Sequence, residues 1–339
     1  MRRSRKIDNL SAFIAEHSPE IESPVHILPR LLVASGLLSL ALAAPAAAFD
    51  FQDSSTGNYL AGQQAMQELR TPEASRYLAD AVSGEWDNPL VLQRAFVAFA
   101  ANGEIDRAAD TAQRLLELDG SNDMARLVVA TVALKQRRYD GAISDLSKLG
   151  ADTFEGVTGE ILKAWAMTGQ NHADDALASL DKIANGGLEG FLVFHRAIMA
   201  DVAGRSTDAV AFITQAHDAD PYTADIVEAY ARILGNAGQY DKAIDAIVAF
   251  ESQGLSHPVI TELKAVLAKH QRPGLYVGSV QAGAAEMFHS VGVAFARDGT
   301  TDLALVLLRL AAYLDSKNEN VPLVIGQLDR KSTRLNSSH

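Results

Sequence analysis

In LVLQRAFVAFAA (90–101), Leu92, Ala95, Phe96 and Phe99 fall at i, i+3, i+4 and i+7, which places them on one face of a helix. Asn102-Gly103 closes it, because glycine tolerates the left-handed conformation past a helix end. A second helix is predicted from about Asp106 to Leu118, with Ala108, Ala112, Leu115 and Leu116 turned inward. Asp119-Gly120-Ser121-Asn122 then has turn composition. The unit is two amphipathic helices joined by a tight turn.

The same unit recurs. NGEIDRAADTAQRLLELDGSN (102–122), AGRSTDAVAFITQAHDADP (203–221) and NAGQYDKAIDAI (236–247) each carry a Gly, an Ala five residues later and a helical apolar pattern after it. Taking that Ala as anchor gives Ala74, Ala108, Ala142, Ala176, Ala209 and Ala243, in steps of 34, 34, 34, 33 and 34, with Ala304 following after 61. Steric crowding accounts for the anchor. Two antiparallel helices joined by a short turn cross closely there, and a larger side chain would push them apart. The facing position on the first helix is small in five units (Gly62, Ala130, Ala197, Ala231, Gly292) and large in two (Phe96, Leu162).

A 34-residue helix-turn-helix with these small positions resembles the tetratricopeptide repeat. Pro221 stands where the family places a proline after the second helix, and Tyr139 and Tyr240 where it places an aromatic early in that helix. The resemblance spans roughly 55–254 and 285–328. The unit near 155–186 is expected to hold about two extra residues in its turn, in GQNHADDALASL. The implied fold is all-α: a right-handed solenoid of hairpins whose concave face is made mostly by the first helix of each unit. The resemblance also implies a protein or peptide partner held in that groove. The family's groove positions correspond here to Gln93, Val97, Leu127, Thr131, Lys135, Lys163, Met167, Phe194, Ile198, Asp201, Glu228, Arg232 and Asn236. Each is equally compatible with an ordinary surface or packing role. Only Lys135, Arg232 and Asn236 are of the kind that clamps a terminal carboxylate.

After Phe250 the rhythm fails. HPVITELKAVLAKHQ (257–271) reads as a helix starting near Pro258, since proline suits a first turn. RPGLYVGSVQAG (272–283) follows, with two turn formers and β-prone Leu275-Tyr276-Val277. The organisation expected is therefore a repeat array over 49–254, an irregular junction over 255–284, and a further unit with the start of another over 285–328. LALVLLRLAAYL (303–314) is interrupted by Arg309 and too short to span a bilayer, so it is expected to be a buried second helix. Residues 329–339, DRKSTRLNSSH, lack apolar periodicity. Back-translated, they match a common short-read sequencing adapter in one frame, and are read as an artefact. Leu323, Val324 and Leu328 are then expected to lack a covering helix.

At the other end, residues 31–48 read LLVASGLLSLALAAPAAA. A preceding Arg30, an apolar run, Pro45 and an A-x-A site are the parts of a secretory signal. Residues 1–48 are read as that signal, with export to the periplasm; retention as an inner-membrane anchor is the alternative. The leading thirty residues are long and carry Glu16, Glu20 and Glu22, so the true start is expected further on, near Val25.

Composition narrows the chemistry. The formal charge is −12, with no basic, aromatic-rich patch of the kind that binds nucleic acid. Cysteine is absent, which removes disulfides, thiolate catalysis and Cys-ligated zinc. No phosphate-loop or HExxH motif occurs, and no cofactor is expected. Asp106, Asp174 and Asp175 sit where helices start and favour the dipole there. The function expected is a non-catalytic scaffold. The alternatives are the targeting arm of an enzyme whose catalytic part lies beyond this chain, and a membrane-anchored assembly subunit.

Overall fold

The computed structural model describes residues 54–150, 153–183 and 187–336. The signal segment 1–48 and the last three residues lie outside these. Sixteen helices and no strand occur among the described residues. Six hairpins come first: α1 (Ser55–Gln67) with α2 (Thr71–Gly84), α3 (Pro89–Asn102) with α4 (Ile105–Leu118), α5 (Asp123–Lys135) with α6 (Tyr139–Leu146), α7 (Phe154–Gly169) with α8 (Ala173–Leu180), α9 (Glu189–Val202) with α10 (Ser206–Ala219), and α11 (Ala224–Asn236) with α12 (Tyr240–Ser252). Each packs on the next, so apolar stripes that no hairpin could bury alone form one continuous core.

One turn is used throughout. The residue five before each anchor Ala has positive φ: Leu69, Gly103, Arg137, Asn171, Gly204, Gly238 and Gly299. The next amide donates to the carbonyl five residues back, as in Glu104 N to Phe99 O (2.8 Å), Arg138 N to Ala133 O (2.8 Å) and His172 N to Met167 O (3.0 Å). This is the Schellman ending, which satisfies the orphan carbonyls of the first helix. Asn171 occupies the same place as Gly103, so the expected two-residue insertion in that turn is absent. Asparagine tolerates the left-handed region and disguised a regular turn.

All seven anchor alanines are fully buried. The facing glycines show why: a Cβ at Gly62 would collide with Leu78, and one at Gly292 with Leu308. In each case the leucine lies four residues after the anchor.

The long step of 61 residues has a definite cause. α13 (Pro258–Leu267) packs on α11 and α12 as the first helix of a seventh unit. It ends in the usual turn, with His270 at φ 54 and Gln271 N donating to Val266 O at 3.2 Å. No second helix follows. Residues 268–279 instead lead back across the solenoid, and β-prone Leu275–Val277 forms no strand. α14 (Val280–Asp298) then packs on α7 and α9, α15 (Thr301–Leu314) on α3 and α5, and α16 (Asn320–Asn336) on α15 and α14. The chain runs back along its own first helices.

α16 corrects the expectation for the C-terminal end. Val321, Ile325 and Leu328 are buried, Val324 is half-buried, and only Leu323 is largely exposed, at 64%. Docking on the α14–α15 hairpin covers the face expected to lie bare. No described helix is long and apolar enough to cross a membrane.

Candidate functional site

The thirteen groove positions lie on α3, α5, α7, α9 and α11, the first helices of five successive units. Leu127, Thr131, Phe194 and Ile198 are buried. Val97, Lys135, Lys163, Met167, Asp201, Glu228, Arg232 and Asn236 are half-buried, and Gln93 is exposed. The inner face expected to be open is covered by the chain's own return, and several of the thirteen touch it directly. Lys135 Nζ donates to Leu314 O at 2.9 Å and stands 5.7 Å from the ring centre of Tyr313. Phe194 meets Tyr276 edge to face, with centroids 5.6 Å apart. Arg232 donates to Gly274 O at 3.3 Å while held by Glu228 at 2.8 Å. Lys163 is turned to its own helix, pairing with Glu160 at 2.5 Å.

Other contacts use residues the repeat pattern did not single out as groove positions. Arg309 Nε donates to Ala101 O at 3.2 Å, and Gln281 Nε2 to Leu134 O at 3.0 Å. Both acceptors lie in the last turn of a first helix, where carbonyls lack intrahelical partners. Gln281 also reaches the Tyr139 hydroxyl at 3.3 Å, and Tyr313 Oη donates to Asp106 at 2.5 Å. Phe154 and Phe295 pack edge to face at 5.0 Å. Gly283 lies against the indole of Trp165, where a Cβ would overlap the ring. Arg309 was legible as the one charge in an apolar helix. Gly283 and Gln281 gave no signal, because what selects them is a partner helix more than a hundred residues away.

Burial sets much of the electrostatics. Burial pushes the Asp201 carboxyl up to about 6. Burial drives the Tyr276 hydroxyl well above its ordinary value, reinforced by the negative charges of Glu286, Asp225 and Glu228. Burial opposes charge on Glu104 as well, but hydrogen bonds from Ser75, Asn102 and Arg107 outweigh it and hold that carboxyl below its usual range. Arg196, odd in its position on a first helix, pairs with Asp181 at 2.6 Å and stacks over the Phe212 ring at 4.1 Å. Beside the covered face, a pocket of about 470 Å³ opens between the turns at Arg137, Asn171 and Arg205 and the start of α14 at Ser279–Gln281. Among the described residues no three His, Asp or Glu side chains converge as a metal site would need.

No protein-family model and no curated protein matches the chain. Solved structures do align with it. A tetratricopeptide repeat protein from Parabacteroides merdae is 18% identical, over 66% of this chain and 86% of that one, with a TM-score of 0.46. The pilF protein of Pseudomonas aeruginosa is 13% identical, over 62% of this chain and 96% of that one, with a TM-score of 0.43.

Proposed function

We propose that this array of tetratricopeptide-type hairpins is an exported, non-catalytic scaffold that holds helical segments of proteins on the inner face of its first helices. The observation that carries this reading is the return of α14 and α15 along that face. A surface that accepts one helical hairpin through helix-end carbonyls and a flat aromatic ring is built to recognise helices. Exposed Gln93 on α3 and half-buried Asn236 on α11, with Val97, Lys163, Met167 and Asp201 on the helices between, are the residues that a partner would meet in this reading. A protein or peptide partner, rather than nucleic acid, also suits the formal charge of −12. Export rests on the signal reading of residues 1–48, with cleavage after Ala48.

Site-specific photo-cross-linking tests it. A cross-linker at Gln93 or Asn236 of the full chain should give a discrete protein adduct in the envelope fraction, and one at exposed Arg76 on α2 should not. Equal yields from all three positions would sink the inner-face reading. A precursor retained at full length in the cytoplasm would sink the export.

A further inference from the structure

We propose that the α14–α15 hairpin exchanges between copies of this chain, so that in an assembly the inner face of one copy is filled by the hairpin of another. This rests on the reading of the inner face as a surface that recognises helices, and names one occupant for it.

The reasoning begins with what any occupant must replace. Trp165, against Gly283, and Phe154, against Phe295, are at most 2% exposed. A foreign helix that displaced the hairpin would have to cover the same two rings and meet the same carbonyls, at Ala101 and Leu134. The hairpin of a second copy restores every one of these contacts. Exchange then costs only the loss of free motion on association and the rearrangement of one connection, which is the usual basis of domain swapping.

The connection is suited to this. α13 ends in the repeat's own turn, but no second helix follows, so twelve residues (268–279) join it to the hairpin. His270 sits at φ 54 in that turn, a conformation that strains a residue with a side chain. Rotation at His270 out of that region would relieve the strain, against the loss of its stacking on Tyr240 at 4.9 Å, and would let the connection take another direction. The hairpin can leave as a body. Its turn at Gly299 is closed by its own bonds, Gly292 packs against Leu308 within it, and α16 is docked on it.

The absence of native cysteine makes a direct test possible. Tyr139 and Gln281 meet across the interface at 3.3 Å. Full chains carrying only Tyr139→Cys would be mixed with differently tagged chains carrying only Gln281→Cys, equilibrated at high concentration and treated with a short bis-maleimide. The expected result is a heterodimeric adduct whose yield rises with concentration, well above that from an Arg76→Cys control. In a second variant, deletion of residues 272–274 cuts the connection from twelve residues to nine, which disfavours the return, and the chain should shift to a dimer in light scattering. Exchange is overturned if the single variants give no heterodimer while the Tyr139→Cys/Gln281→Cys double variant cross-links within one chain, or if the deletion variant is a folded monomer. That outcome leaves the inner-face reading standing. Failure of the double variant to cross-link at all, within a chain or between chains, would remove both.

Discussion

Gly283 of α14 lies flat against the indole of Trp165 of α7, 118 positions earlier in the chain, and leaves no room for a side chain between them. The two residues fix how closely the returning hairpin approaches the solenoid. Gly283→Leu is therefore expected to lift the start of α14 off α7, costing roughly 1–3 kcal/mol as overpacking does. Trp86 is 44% exposed and would mask the signal, so the measurement belongs in a Trp86→Phe background. Trp165 emission should shift to the red and the urea midpoint should fall. An unchanged spectrum and midpoint would mean that the hairpin is not seated on Trp165.

The hairpin is also held by polar contacts at its far end. Tyr313 Oη donates to Asp106, and Lys135 Nζ caps the carbonyl of Leu314 where α15 ends. A cation at a helix C-terminus and a hydrogen bond to a carboxylate are each worth about 1 kcal/mol when partly exposed. Tyr313→Phe and Lys135→Met should each lower stability by about that amount. Their effects should fall short of additivity in a double-mutant cycle, because both act on the last turn of α15. Strict additivity with no loss of hairpin protection in hydrogen exchange would show that these groups merely lie near one another.

The repeated turn makes a prediction of opposite sign. Arg137 is exposed and held at φ 60, in the place where other units use glycine. Arg137→Gly removes backbone strain with little packing to lose, and should raise stability by roughly 0.5–1 kcal/mol after the extra freedom of the unfolded glycine is set against it. Gly103→Ala, at φ 88, should lower stability by about 1 kcal/mol. Paired thermal melts would decide it. If both variants melt together with the parent, the turns are more compliant than their dihedral angles imply.

The repeat was legible because its physics is local. Anchor spacing, the turn five residues before it and the small facing residues all arise from two helices and one turn, so Ala74 to Ala243 each fall in the first turn of a hairpin's second helix. Positive φ at Leu69 and Arg137 was not legible, because the surrounding turn imposes it on residues that do not prefer it. Nor was the return of the chain. Nothing within α14 or α15 says which surface they will cover, and Gln281, Gly283 and Arg309 acquire meaning only from Leu134, Trp165 and Ala101. The thirteen positions on five helices were picked from the repeat alone, and the cover that the returning chain lays on that face depends on contacts up to 208 residues apart.

Asp201, on α9, makes stability depend on pH. Burial raises its folded pKa to about 6, against 3.8 for an ordinary aspartate. The folded state thus binds the proton more tightly than the unfolded state. Its contribution is most favourable below about pH 4 and is lost as pH rises through the window up to about 6. Above that the carboxylate is charged and poorly solvated. Asp201→Asn should therefore stabilise the protein at pH 7, on the order of 1 kcal/mol once partial exposure is allowed for. The gain should shrink towards zero by pH 4. Urea titrations of both proteins at pH 4, 5, 6 and 7 test the sign as well as the size. A gain that is flat across these values would mean that Asp201 is fully solvated in the folded chain.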